Sequence, residues 1–124
     1  MLSEKFYECL NHEGVVAIAT CSSDHKPHMC NTWNSYIIVT EDEKLLIPAA
    51  GMIKTERNAA ANPSVEITLG SREVMGYRAM GTGFSLTGTV EFLKEGSLFD
   101  TMKEKCPFAN RVLVFTPESC KQTL

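Results

Sequence analysis

Two short segments hold most of the chemistry-bearing residues of this chain: Asn31-Thr32-Trp33-Asn34-Ser35-Tyr36 and, one hairpin later, Pro48-Ala49-Ala50-Gly51-Met52-Ile53-Lys54-Thr55. The first sets the only tryptophan among small polar residues on an expected strand. There an aromatic face can lie against a ring system, and amides and hydroxyls can meet its heteroatoms. In the second, Ala49, Ala50 and Gly51 let a flat ligand approach the backbone, and Lys54-Thr55 falls where a helix is expected to start, with Thr55 as its cap. A helix start offers free N–H groups and a positive dipole end, so a lysine there suits a phosphate dianion. A planar ring beside a phosphate grip describes a flavin nucleotide site. Taken singly the residues mean little, since a lone tryptophan is more often a core aromatic and a lone lysine a solvated charge. The pairing of the two segments carries the inference.

The rest of the chain offers no competing chemistry. No serine, cysteine or histidine stands in a recognisable nucleophile–base setting, and no dinucleotide fingerprint is present. Five cysteines form no C-x-x-C pair, and an odd count without an export signal favours reduced thiols. Cys21, His25, His28 and Cys30 offer four potential zinc ligands within ten residues. They fall on a strand end, a turn and a second strand, whereas structural zinc ligands come as two close pairs on tight turns. No metal is expected. The six methionines read as core filler.

Length and composition set the frame for these motifs. At 124 residues and 13.7 kDa the chain suits one domain, residues 1–124, with a single core. Apolar content of 44% with 22% charged residues is that of an ordinary globular protein, and no apolar run approaches a membrane span. The start, Met1-Leu2-Ser3-Glu4-Lys5, lacks a basic, apolar leader, which points to a cytoplasmic location. A net charge of −3 without a basic cluster argues against nucleic acid as a partner.

Hydrophobic patterning then supplies the elements. Ser3 to His12 fits a short amphipathic helix capped by Ser3, with Phe6 and Leu10 four apart. Gly14 to Thr20 is apolar and β-branched and reads as a strand buried on both faces. Pro27 to Trp33 and Tyr36 to Thr40 read as extended, Glu41-Asp42-Glu43 as a hairpin tip, and Lys44 to Ala50 as a strand that Pro48 places at an edge or bulge. Thr55 to Asn62 is helix-forming and ends at Pro63, and Val65, Ile67 and Leu69 alternate as a half-buried strand. Gly70 to Gly83, with four glycines, reads as a long loop. Phe84 to Phe92 gives the clearest strand, Ser97 to Cys106 a second amphipathic helix stopped by Pro107, and Arg111 to Thr116 a final strand. About six strands with hairpin spacing, and two or three short helices without a β-α-β rhythm, predict a mainly β fold. Its form would be an antiparallel barrel or half-barrel with helices at the side.

Several of these segments, in order, resemble the small FMN-binding proteins of anaerobic sulfate-reducing bacteria, within the pyridoxamine-phosphate-oxidase-related split-barrel superfamily. The resemblance runs through Asn11 to Thr20, Asn31 to Tyr36, Gly51-Met52 with Lys54-Thr55-Glu56, Leu69 to Arg72, Gly81 to Phe84, and Gln122-Thr123-Leu124. It implies a six-stranded antiparallel split β-barrel of Greek-key type, a homodimer, and FMN held noncovalently near the subunit interface. By position, Asn31, Thr32, Trp33 and Asn34 would line the flavin, Pro48, Ala49, Ala50 and Gly51 would run along the ring, and Lys54 and Thr55 would hold the phosphate. Glu13 and Leu124 match positions that lie close to the cofactor from the partner chain. Ala49-Ala50, Ile53 and the histidine–cysteine hairpin have no assigned place in the family pattern. The substrate-binding basic residues of the vitamin-phosphate oxidases have no counterpart either, so the implied role is electron transfer or redox chemistry on FMN. The alternatives are a small NAD(P)H-linked flavin, nitro or quinone reductase, and a non-redox split barrel that holds another ligand such as haem.

Overall fold

The computed structural model describes residues 1–124, and its strands form one antiparallel sheet in the order β2-β1-β5-β6-β7-β4-β3. These are β1 (Val15–Cys21), β2 (Pro27–Trp33), β3 (Ile38–Val39), β4 (Leu45–Ala49), β5 (Ser64–Met75), β6 (Met80–Leu93) and β7 (Arg111–Gln122). Three helices flank it, α1 (Glu4–Leu10), α2 (Ile53–Ala61) and α3 (Ser97–Lys105). The edge strands β2 and β3 follow one another through a single 3₁₀ turn, Asn34–Tyr36, yet do not pair, so the sheet stays open as in a split barrel. No helix is long and apolar enough to cross a membrane.

Local rules account for most element ends. The Ser3 hydroxyl accepts the Phe6 N–H at 3.2 Å and starts α1. Phe6 then meets Phe84 edge-on, 5.5 Å between ring centres, which seats α1 on the core. The inner face of the sheet collects Phe6, Val16, Ile18, Ile67, Leu86, Leu113 and Phe115 in one cluster. A smaller cluster of Leu46, Met102, Cys106, Val112 and Val114 lies under α3. Strand β4 is therefore buried on both faces, as its unbroken apolar sequence requires.

Three expectations are corrected. The sheet has seven strands rather than six, because Ile38–Val39 forms a short ladder with Leu45 and Leu46. That ladder stops before Pro48, which leaves the proline on an open side of β4. Strand β1 is buried on one face only: Val16, Ile18 and Thr20 point inward while Val15 is 51% exposed. The doubly buried strands are β4 and the first half of β7 instead.

The stretch Gly70 to Gly83 is not a long loop but the meeting ends of β5 and β6, closed by a turn at 76–79. Gly70 pairs with Gly83, and a Cβ on Gly70 would lie 2.5 Å from the Thr82 carbonyl oxygen. The glycine marks a close backbone approach between strands.

Candidate functional site

Strand alternation sorts the first motif into two faces. Met29, Asn31 and Trp33 are exposed on the outer face of β2, with Trp33 opposite Val15 and Asn31 opposite Ala17 on β1. Cys30 and Thr32 turn inward, and Thr32 is 5% exposed. The Thr55 hydroxyl donates to the Cys30 sulfur at 3.3 Å, which ties the first turn of α2 to β2 and brings the two motif segments together.

Thr55 does this as a fully buried residue inside α2, so it is not the cap expected from sequence. The cap position is Met52, in the left-handed region at φ 57°, and no side chain caps the helix. Met52 packs against the main core cluster, which holds this turn in place. The first-turn N–H groups are left for an acceptor from outside the helix. Lys54 is exposed beside them.

The loop before α2 is held from β7. Ala49 is Arg111's register partner, the Asn110 N–H donates to the Ala49 carbonyl at 3.0 Å, and Asn110 Nδ2 donates to the Ala50 carbonyl at 3.1 Å. Arg111 Nη2 donates to the Gly51 carbonyl at 2.5 Å and Nε to Glu56 Oε1 at 2.5 Å, while Nη1 donates to Asn110 Oδ1. The guanidinium also lies over the Phe92 ring, 5.5 Å from its centre. Sequence reasoning missed Asn110 and Arg111. The available signal was a single arginine opening the otherwise apolar run Val112-Leu113-Val114-Phe115, since a charge at a buried strand start needs dedicated partners.

The remaining candidates separate. Asn34 is 1% exposed, and its Nδ2 donates to the carbonyls of Cys9, His12 and Gly70 at 3.0–3.1 Å, so its amide knits the fold. Pro48 and Ala49 are buried in β4, whereas Ala50 and Gly51 are exposed. A Cβ built on Gly51 would meet nothing within 4 Å, so open space adjoins the backbone there. Glu13 accepts the Ser35 hydroxyl at 2.6 Å and the Ser35 and Gly14 N–H groups at 3.2 Å. The Ser35 bonds hold its carboxyl below the usual carboxylate range.

Leu124 stands elsewhere, four strands across the sheet from β2. A terminal oxygen accepts the Thr82 hydroxyl at 2.7 Å, Gln122 Nε2 at 2.9 Å and the Tyr77 N–H at 3.3 Å. Its side chain is 65% exposed and borders an apolar cleft of about 410 Å³ with Tyr77 and Met80.

Cys21, His25, His28 and Cys30 sit along the β1–β2 hairpin, and no three His, Cys, Asp or Glu groups of the chain gather where they could hold a metal ion. All five cysteines are unpaired, and burial pushes the thiols of Cys9, Cys106 and Cys120 up, away from thiolate chemistry. What the site offers is an uncapped helix start, a lysine, open space at Gly51 and an exposed aromatic on the adjoining strand. That set fits a planar ligand carrying a phosphate.

Comparison with known proteins bears on the family and the fold. The family model described as pyridoxamine 5'-phosphate oxidase matches residues 2–124. A protein of Nitratidesulfovibrio vulgaris (strain DSM 19637 / Miyazaki F), named FMN-binding protein, is 44% identical over 124 residues, the whole of both chains. Among solved structures, tagged HupZ of Group A Streptococcus superposes with a TM-score of 0.81 at 17% identity, over 98% of this chain and 94% of that one. An FMN-binding protein from Syntrophomonas wolfei subsp. wolfei does so with a TM-score of 0.71 at 14% identity, over 88% and 76%. At these identities the two structures speak for the fold.

Proposed function

We propose that this chain, which belongs to the pyridoxamine 5'-phosphate oxidase family, holds FMN noncovalently and serves in electron transfer or related redox chemistry. The observation that carries the reading is the Thr55–Cys30 link, which sets the uncapped start of α2 against the strand bearing Asn31 and Trp33. Lys54 and the first-turn N–H groups would hold the phosphate, and Asn31 and Trp33 would face the ring. FMN itself supplies the one- and two-electron chemistry when bound. Thr32 and Asn34 support the site from below, through burial and through the Asn34 clasp on three carbonyls.

The proposal includes a second copy of the chain. Trp33, Val15 and Met29 are exposed at one end of the sheet order, and Tyr77, Met80 and Leu124 at the β5–β6 turn. A homodimer that brings the second group of one chain onto the first group of the other would cover both apolar surfaces and close the flavin from outside. Glu13 and Leu124 would then approach the cofactor across the interface. The proposed setting is the cytoplasm, where unpaired cysteines stay reduced.

A visible spectrum of the protein as purified, with the released cofactor identified by mass, tests the reading. FMN near one per chain is expected. Haem or no chromophore after reconstitution with FMN would overturn it, and rapid turnover of NADH or NADPH would identify a reductase in place of a carrier.

A further inference from the structure

We infer that Arg111 is a positioning residue for the phosphate: it masks Glu56 and holds the Gly51 carbonyl, beside the Ala49 and Ala50 carbonyls held by Asn110, leaving the start of α2 free to accept an anion. The inference rests on the FMN reading above. Glu56 is the acidic residue of the first turn of α2. A carboxylate there suits the helix dipole, but it also repels an incoming dianion. Arg111 Nε holds Glu56 Oε1 at 2.5 Å, with the arginine side chain 7% exposed and the glutamate 37%. The recess they share is bordered also by Ile53, Asn110 and Lys94.

Three consecutive carbonyls make the second half of the argument. Those of Ala49, Ala50 and Gly51 all accept from two consecutive residues, Asn110 and Arg111. These backbone oxygens are thereby pinned toward β7. Three of the five Arg111 N–H donors are already engaged (by Glu56, Asn110 and Gly51), its side chain is 7% exposed, and Phe92 lies against its face. A buried guanidinium so engaged acts through the groups it holds.

The test compares FMN and riboflavin binding to apoprotein by equilibrium dialysis for the wild type, Arg111→Met, Glu56→Gln and the double variant. Arg111→Met should weaken FMN by about tenfold while changing riboflavin by less than about threefold, because only FMN carries the dianion that an unmasked Glu56 repels. Adding Glu56→Gln to that variant should recover part of the loss. Glu56→Gln alone should raise the preference for FMN over riboflavin, since it leaves the arginine charge uncompensated, and this arm decides the matter if Arg111→Met does not fold. Equal losses for both flavins, no recovery in a folded double variant, or an unchanged preference in Glu56→Gln would overturn the inference. Failure of the wild type to bind FMN at all would sink the FMN reading and this inference with it, whereas wild-type binding with unchanged ratios in the variants sinks the inference alone.

Discussion

Asn34 occupies the space that a side chain at position 14 would need. Its Nδ2 stands 2.8 Å from where a Gly14 Cβ would lie, and its backbone N–H donates to the Gly14 carbonyl at 2.9 Å. The Gly70 carbonyl, which also accepts from that Nδ2, closes the same space at 2.6 Å. One residue thus joins the end of α1, the start of β1, the 3₁₀ turn after Trp33 and the middle of β5. The position of Trp33 depends on a contact that only a glycine at 14 permits.

Gly14→Ala should therefore destabilise the fold by roughly 1–3 kcal/mol, the usual cost of overpacking a closed site. Asn34→Ala should cost at least as much, since each carbonyl left without a donor is worth roughly 1–3 kcal/mol. Urea unfolding followed by Trp33 emission reads both. A change within ~0.5 kcal/mol for Gly14→Ala would mean that Asn34 gives way without loss.

Trp33 is the single tryptophan and is 44% exposed, so its emission reports the site without interference. Addition of FMN to apoprotein should quench it in proportion to occupancy, reaching a plateau near one FMN per chain. Unchanged emission at saturating FMN would remove Trp33 from the flavin face.

What the sequence disclosed and what it hid follow one physical division. Elements written in local alternation were legible: Phe84 to Phe92 lies within β6 and Val65 to Leu69 within β5. So was the α1 cap at Ser3. The stretch Gly70 to Gly83 misled because glycine signals both a turn and a close approach of strands, and only the Gly70–Gly83 pairing tells them apart. The site divides the same way. Lys54 and Trp33 lie on continuous segments that can be read directly, whereas Arg111 reaches Gly51 only because β7 pairs with β4. A contact between residues 60 positions apart leaves no local trace.

Lys54 stands exposed at an uncapped helix start, where its charge is available to a ligand. Lys54→Ala should weaken FMN by ~1.5–3 kcal/mol, about a tenfold to hundredfold loss, the value of one charged hydrogen bond. Riboflavin, which lacks the phosphate, should bind the variant nearly as it binds the wild type. Equal losses for the two ligands would move Lys54 from the phosphate to the ring or to folding.

Glu13 gives the acid limit a specific contributor. Its carboxyl is held below the ordinary range by Ser35, first through the hydroxyl and then through the N–H. A group whose folded value lies below its unfolded value stabilises the protein above the unfolded value and loses that contribution as pH falls through the folded one. Asp24, Asp42 and Glu43 are lowered in the same way by Ser22, Thr40 and the Leu2 N–H. The urea midpoint should therefore hold steady down to about pH 5 and fall below about pH 4. Glu13→Gln should lower the midpoint at neutral pH and flatten part of the acid fall; an acid limb identical to that of the wild type would exclude Glu13 from it.

Leu124 presents an apolar side chain 65% exposed on a terminus whose oxygen is gripped by Thr82, Gln122 and the Tyr77 N–H. Three donors to one backbone oxygen hold this residue in place. An apolar group held so firmly toward solvent is explained if a second chain covers it, with Tyr77 and Met80 beside it. Light scattering on the eluting protein should then report about twice the 13.7 kDa chain mass. Deleting Leu124 should loosen the dimer or the flavin. Thr82→Val, which keeps the side-chain shape but removes a donor to the terminus, should do the same to a smaller extent. A single-chain mass at micromolar concentration with FMN still bound would show that the site is complete within one chain and that Leu124 has no part in it.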